Sequence, residues 1–430
     1  MKHKALLIRC FGLLLGCGSA CCVQAQDTLQ LTVPQAEALF LQKNLSLLAA
    51  QYNINATQAL EQQARAWDNP VLLTDQNLYD GKFFRHSKAT PSIPQDGGQI
   101  YLSLQQVIQT AGKRSKLVQV ARDNTRTTEA QFNELVRNLH FVLVTDLNNL
   151  SRLQAVQNLL EEGIVHIQTL SKGMDEMLKV GDISQKEDIR IKALLFSMQS
   201  EYADNLTAQQ DLQKELRTLL QLRTDQNVQV PFHQINEQSI RSLSLAYLLD
   251  SAKASRPDIA LAGSQLALQQ HNYTYQKALA VPDLTVGVEY DKANSYVNNY
   301  YGLQLALPLP LFNRNRGNII SAGWNVKQAQ AVVEQSNLQV QNEVLASYNK
   351  LLTLLSVQKT TTGPWVADYD RLLRNMISSY QQRKVSLIDF IDFFSSYTDT
   401  RQKQLKQQAD VLNAVAELNF VTNQTIIPIK

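Results

Sequence analysis

The sequence predicts a mainly α protein with a minor β part. A helix–strand–strand–helix unit is written twice, its four strands form a slice of a membrane β-barrel, and its helices run far beyond globular length. Three observations predict this. Leu303, Leu305, Leu307 and Leu309 alternate with Gly302, Gln304, Ala306 and Pro308, and Leu284, Val286, Val288 and Tyr290 alternate with Thr285, Gly287, Glu289 and Asp291; that is strand periodicity with one apolar face. The same order of parts occurs twice. Leu31-Thr32-Val33 through Asp68-Asn69-Pro70 lies over Leu243-Ser244-Leu245 through Ala280-Val281-Pro282, Ala111-Gly112-Lys113-Arg114 over Phe312-Asn313-Arg314-Asn315, and Gly181-Asp182-Ile183-Ser184 over Arg383-Lys384-Val385-Ser386. Finally, helical spacing persists for about 60 residues after each strand pair, on the order of 90 Å of helix, which must pack on something equally long.

In chain order, residues 1–25 read as a secretory signal: Lys2 and Lys4, an apolar centre over Leu6 to Leu15, and Val23-Gln24-Ala25 before the cleavage point. A lipoprotein signal at Cys17 or Cys21 is the alternative. Cys10, Cys17, Cys21 and Cys22 all lie in this segment, so the mature chain has no disulfide and no thiolate chemistry. The first repeat spans 26–230. A helix is expected over Val33 to Trp67, strands over about 71–78 and 99–107, and long helices over about 115–180 and 184–222, with Gly163 and Gly173 expected to interrupt the first of these. The loop between the strands holds Gly81, Pro91, Pro94, Gly97 and Gly98. The second repeat spans 231–430, with strands over about 283–291 and 300–309 and long helices over about 318–382, broken at Gly363-Pro364, and 386–422.

The junction Leu307–Ile319 turns a strand into a long helix. Pro308 and Pro310 cannot donate to a sheet, so pairing ends there; Phe312, Arg314, Arg316 and Gly317 follow, and Gly317 is expected to let the chain swing into the helix. Its counterpart carries Gly112, Lys113 and Arg114. The two junctions are expected to form a collar where a barrel would give way to the helices, with Arg314 and Arg316 expected at a headgroup boundary.

No later run of about 18 apolar residues exists, so a membrane crossing would require a closed β-barrel. Strands of about nine residues, apolar on one face and polar on the other, fit that pattern. Four strands cannot close around water, so several copies must assemble. The competing expectation is an ordinary four-stranded sheet on a soluble helical body.

The charge balance, 41 basic against 38 acidic, has no basic stripe and excludes nucleic acid as a partner. His86, His140, His166, His233 and His271 are scattered without metal-ligand spacing. No nucleophile, phosphate-loop or dinucleotide motif is present, so neither enzyme chemistry nor a cofactor is expected. Ser184 with Glu187, and Ser386 with Asp389, have the spacing of capping boxes.

With these features the chain resembles the TolC-like outer-membrane efflux proteins over nearly all of its mature length. Arg256-Pro257-Asp258-Ile259 and Pro308-Leu309-Pro310-Leu311-Phe312-Asn313-Arg314-Asn315 are similar to signatures of the CzcC-like, heavy-metal branch. The resemblance implies a homotrimer in the outer membrane of a Gram-negative bacterium. Three four-stranded slices would make one twelve-stranded barrel among outer-membrane lipid, continued into the periplasm by an α-helical barrel. It further implies a periplasmic adaptor protein and an inner-membrane RND transporter as partners, and passive conduction of heavy-metal cations. Drug-efflux and type I secretion ducts are alternatives within the class; a soluble periplasmic coiled-coil interaction protein is the alternative outside it. The turns that the resemblance makes adaptor-docking tips are Val180, Gly181, Asp182, Ile183 and Ser184, and Val385, Ser386 and Leu387; the second tip has Arg383-Lys384 where the first has a Val-Gly pair. Matching Tyr380 to the family's gating tyrosine puts the acidic gate on Asp389 and Asp392, with Glu187 from the first repeat. A basic gating residue falls on Val385, so Arg383 or Lys384 would supply any locking ion pair.

Overall fold

A computed structural model describes residues 27–76, 78, 99–232, 243–294, 297–361, 363 and 365–428. The signal segment, the loop glycines and prolines of the first hairpin, His86, His233 and Pro364 lie outside them.

The chain opens with strand β1 (Asp27–Gln30) and helices α1 (Val33–Lys43) and α2 (Leu45–Arg65). The expected single helix over Val33 to Trp67 is therefore two. Asn44 separates them, its extended backbone ending α1 while its side-chain oxygen accepts from the N–H groups of Ser46 (2.9 Å) and Leu47 (3.1 Å) to start α2. Strands β2 (Val71–Gln76) and β3 (Ile100–Ile108) lead to α3 (Lys113–Lys179) and α4 (Gln185–Leu220). Strand β4 (Gln226–Gln229) then pairs in parallel with β1. The second repeat begins with α5 (Leu245–Ser255) and α6 (Pro257–Leu279), separated at Arg256 as α1 and α2 are at Asn44. Strands β5 (Leu284–Ala293) and β6 (Asn298–Ala306) precede α7 (Arg316–Thr361), α8 (Trp365–Gln381) and α9 (Leu387–Thr422).

Two of these elements correct the expectations. Helix α3 runs unbroken for 67 residues, about 100 Å at 1.5 Å per residue. Gly163 does not interrupt it: a Cβ there would stand 2.5 Å from Met198 Cε and 3.4 Å from the Phe394 ring, so the glycine lets α4 and α9 approach. Gly173 also sits within the continuous helix. Strand β6 ends at Ala306, not near Leu309, because Leu307 to Leu309 find no partner strand once Pro308 removes a donor.

The four long strands form one antiparallel sheet in the order β2-β3-β5-β6. Register sorts its faces. Leu72, Leu104, Val288 and Leu303 form one row across it, and Thr74, Leu102, Tyr290 and Tyr301 another. These rows carry exposed apolar side chains, Leu303 at 71%. The opposite face is polar and cross-bonded. Tyr101 Oη donates to Glu289 (2.9 Å), Gln99 to Asp291 (2.7 Å), and Gln105 to Gln304 (2.6 Å). Gly287 leaves room for Gln105 to lie across the sheet, since a Cβ there would stand 2.9 Å from Gln105 Cγ.

Below the sheet the helices keep the strand order: α2 packs on α3, α3 on α6 and α6 on α7. Three apolar cores follow. Phe40, Leu143, Leu147, Leu150, Leu216 and Val228 join α1, α3, α4 and β4. Leu248, Val340, Val344, Leu351 and Val415 join α5, α7 and α9. Leu160, Ile167, Met174, Ile191, Phe390 and Phe394 hold the far end together.

Candidate functional site

The far end is built from two turns of the same design. After α3, the N–H of Gly181 bonds to Leu178 O (3.0 Å) and that of Asp182 to Met177 O (2.9 Å). After α8, Arg383 N–H bonds to Tyr380 O (2.8 Å) and Lys384 N–H to Ser379 O (2.9 Å). Both are Schellman closures with a left-handed residue, Gly181 at φ +76° and Arg383 at φ +57°. Arg383 therefore stands where glycine is favoured, and its guanidinium reaches across to Asp182 of the other turn at 2.8 Å. This pair joins the two turns and does not engage Asp389 or Asp392.

Each turn starts a new helix through a serine. Ser184 completes the capping box: Glu187 N–H donates to its Oγ, and the Glu187 carboxylate accepts from the Ser184 N–H (2.9 Å). That bond, with a second from the Ser184 hydroxyl, holds the Glu187 carboxyl below its usual range. Ser386 makes only half a box. Asp389 N–H donates to Ser386 Oγ (3.2 Å), but the shorter Asp389 side chain accepts from the hydroxyl (2.7 Å) and not from the serine N–H. Asp389 and Asp392 are both exposed on one face of α9, while Leu387, Phe390 and Phe394 bury the other. Tyr380 stacks on Phe390 (4.9 Å between centroids), and its hydroxyl donates to Met174 Sδ (3.6 Å). Burial, and then the nearby Glu187 carboxylate, push its hydroxyl pKa up against the opposing pull of Arg383. The structure thus brings Tyr380, Glu187 and Arg383 into one neighbourhood and leaves Asp389 and Asp392 facing away from the chain's own core. Val180, Ile183, Val385 and Leu387 frame the turns, with Val180 76% exposed and Leu387 buried.

At the opposite end the collar differs from expectation at two points. Gly317 lies inside α7 with ordinary φ; the swing into the helix is made by Asn315 at φ +55°, whose side chain donates to Gln276 O (2.8 Å) on α6. In the first repeat Ala111 and Gly112 take the left-handed conformation instead, at φ +52° and +66°. Lys113 is buried and pairs with Asp283 at 2.7 Å, joining the two repeats; it is not a surface charge. Arg314 donates to Pro310 O (3.0 Å). Leu309 and Leu311 are exposed, and Phe312 is fully so. The Arg114 guanidinium lies over the Trp67 ring at 3.8 Å from its centroid.

The Arg256-Pro257-Asp258 motif proves to be a buried joint. Arg256 is 2% exposed. Its guanidinium binds Asp258 through Nη2 and through Nε (3.0 Å), Glu343 of α7 (2.7 Å), and Val421 O of α9 (3.3 Å). Arg137 of α3 adds a contact to Asp258 (3.5 Å) and lies over the Phe420 ring at 4.4 Å. Burial opposes the Asp258 charge, yet Arg256 and Arg137 hold its carboxyl below the usual range. Sequence reasoning missed Arg137 and Glu343 because nothing local marks residues that meet only through four helices. Among the described residues no group of three or more metal-ligating side chains gathers, and no helix is long and apolar enough to cross a membrane. His140 pairs with Glu37, and His271 with Asp123.

Residues 248–424 match the family model described as outer membrane efflux protein. The chain is 21% identical over 364 residues to the cobalt-zinc-cadmium resistance protein CzcC of Cupriavidus metallidurans, covering 84% of this chain and 82% of that one. Its fold is similar to the Campylobacter jejuni CmeC outer membrane channel (TM-score 0.75, 16% identity, 91% of this chain and 85% of that one). It is also similar to the outer membrane protein VceC of Vibrio cholerae (TM-score 0.70, 18% identity, 91% and 96%). The two-faced sheet, the helical wall that continues its order and these likenesses agree: the chain has the fold of the outer membrane channels it is similar to, and residues 248–424 carry the match to the outer membrane efflux protein family.

Proposed function

We propose that this channel is the passive exit duct of a tripartite system that expels heavy-metal cations. A homotrimer receives them from an inner-membrane RND-type pump through a periplasmic adaptor and performs no chemistry on them. The observation that carries the reading is the open, two-faced slice. Its apolar face suits lipid, its polar face suits water, and the outer edges of β2 and β6 have no partner strand among the described residues. The edge helices point the same way: α7 exposes Trp324, Leu338, Leu345 and Leu352 at multiples of seven residues, and α2 exposes Leu48, Tyr52 and Leu60. Neighbouring copies would cover both stripes. Metal cargo rests on the relationship to a protein named for cobalt, zinc and cadmium resistance.

The turns at Val180–Ser184 and Val385–Leu387 would meet the adaptor, and Tyr380, Glu187, Asp389 and Asp392 would form the gate. Three copies would bring six carboxylates of Asp389 and Asp392 about one axis and favour cations there. The Arg383–Asp182 pair supports a lock within each chain, between its two turns. Planar-bilayer recording tests this. Asp389→Ala with Asp392→Ala should raise single-channel conductance and weaken block by divalent cations; unchanged block would refute the gate. Failure of the wild-type protein to conduct at all would refute the duct.

A further inference from the structure

A cavity of about 830 Å³ lies just below the sheet, between the end of α2, the start of α3 and α6. Its lining includes Arg65, Trp67, Asp68, Arg114, Lys116 and Arg122. The balance of charge is one-sided. Asp68 accepts from Gln109 (2.9 Å), and Arg65 stands 3.7 Å from Glu61. Asp123, buried behind the cavity, is held by His271 and Arg126. Arg114 lies over Trp67, Lys116 donates to the Ala111 carbonyl, and among the described residues Arg122, which lines the cavity, has no ion pair. Four cations, Arg65, Arg114, Lys116 and Arg122, thus share a concave surface with one carboxylate, Asp68, and the cations are in excess.

The spacing on α3 says which side of the wall this is. Gln119, Arg126, Asn133, His140, Leu147 and Gln154 stand seven residues apart and so share one stripe of a long packed helix. Lower on that stripe, His140 meets Glu37 of α1 (2.8 Å), and Gln154 donates to Val228 O of β4 (3.0 Å). Helix α1 and the β1–β4 pair therefore form a second layer over this face. A wall that encloses a conduit carries such a layer only on its outside. Gln119 lines the cavity, so the cavity opens outward, directly under the apolar band. Leu72 (67% exposed) and Ile108 (41%) stand at the strand ends above it, and Trp67 (64%) at its rim.

We propose that this cavity binds the phosphodiester of an anionic phospholipid from the periplasmic leaflet. The cations take the phosphate, Trp67 lies at the interface, and the acyl chains run up along Leu72 and Ile108. Guanidinium groups match phosphate oxygens, and the adjoining apolar surface gives a lipid, not a free anion, a second contact. The inference rests on the outer-membrane placement of the sheet.

Trp67 itself is the probe. The chain has three tryptophans, so Trp324→Phe with Trp365→Phe leaves it alone. The protein is placed in phosphatidylcholine nanodiscs containing brominated phosphatidylglycerol or, at equal mole fraction, brominated phosphatidylcholine. Phosphatidylglycerol should quench Trp67 more strongly. Arg122→Gln, which removes an exposed side chain without an ion pair, should weaken that preference by about fivefold, the share of one cation at an anionic surface. Millimolar inorganic phosphate should leave it intact. Equal quenching by the two lipids, or a preference untouched by Arg122→Gln, overturns the proposal. Loss of the preference on adding phosphate assigns the site to free phosphate and overturns the lipid. Quenching by neither lipid means that the chain did not insert, and the membrane placement fails with the site.

Discussion

Removing the Arg256 side chain should destabilise the helical body by about 3 kcal/mol. Arg256→Ala deletes a guanidinium that is 1% exposed and joins the first turn of α6 to α7 and α9. Asp258 keeps the Ile259 N–H (3.1 Å) but only the longer 3.5 Å contact to a cation, Arg137, and Glu343 keeps the Gln339 amide (2.7 Å) but loses its arginine. Breaking a buried pair from one side costs about 3–5 kcal/mol, because the remaining charge is left uncompensated. Here Asp258 and Glu343 retain 21% and 33% of their side-chain surface, so water relieves part of the loss and the lower figure applies. Arg256→Lys should fall between, since an ammonium keeps the charge but not the fork that serves Asp258 and Glu343 together. The measurement is urea unfolding in detergent followed by circular dichroism, comparing midpoints at constant slope. A loss under about 1 kcal/mol for Arg256→Ala would show that the network is replaceable by solvent and that the motif has another task.

Three further outcomes are expected. Burial, and then Glu215, push the Asp146 carboxyl up to about 7 from 3.8; the unfolded chain ionises it near 3.8, so this group's stabilisation is full below that value and is lost as pH rises to about 7. At about 1.4 kcal/mol per unit the ceiling is roughly 4 kcal/mol, and Asp146→Asn should gain on the wild type steadily across that window; a constant difference from pH 4 to pH 8 would contradict the assignment. Arg383→Gly removes a left-handed arginine, which relieves about 1 kcal/mol, and an exposed ion pair worth about 0–1 kcal/mol. The two nearly cancel, so a stability loss above about 2 kcal/mol in the same urea assay would give the turn-to-turn pair a larger role. Leu303→Arg, on the lipid-facing row, should cost about 2–4 kcal/mol of folding into vesicles, whereas Gln304→Arg, one residue along and on the polar face, should be tolerated; equal effects would undo the assignment of faces.

Period-two alternation and the helical runs were legible because both are written in neighbouring residues. What was not legible depended on partners far away in sequence. Gly163 has the local signature of a break, and only Met198 and Phe394, on α4 and α9, make it a contact point. Asn44 lacks the proline that marks Arg256-Pro257 as the start of a helix, so the split between α1 and α2 was hidden while its counterpart was marked. The turn at Arg383 carries no glycine, and its left-handed backbone could be read only by laying it over Gly181. Asn315 took the turn expected of Gly317 because its amide could also reach Gln276. For the acidic residues of α9, the half-formed cap at Asp389 was half visible in the spacing. Their facing away from the chain's own core depends on where Phe390 and Phe394 pack.

The short parallel pairing of Asp27–Gln30 with Gln226–Gln229 has a consequence for the order of assembly. It ties the two ends of the first repeat together across a loop of about 200 residues, whose closure alone costs about 5 kcal/mol of chain entropy. Four residues a side cannot offset that, so the clasp closes only after α3 and α4 have folded back on each other and brought its halves together. Val228, which is buried and bonded through its N–H to Gln213 (2.8 Å) and through its carbonyl to Gln154 (3.0 Å), is then a late position. Slow amide exchange there reports a first half that is finished, while the sheet still waits for strands the second half has yet to deliver.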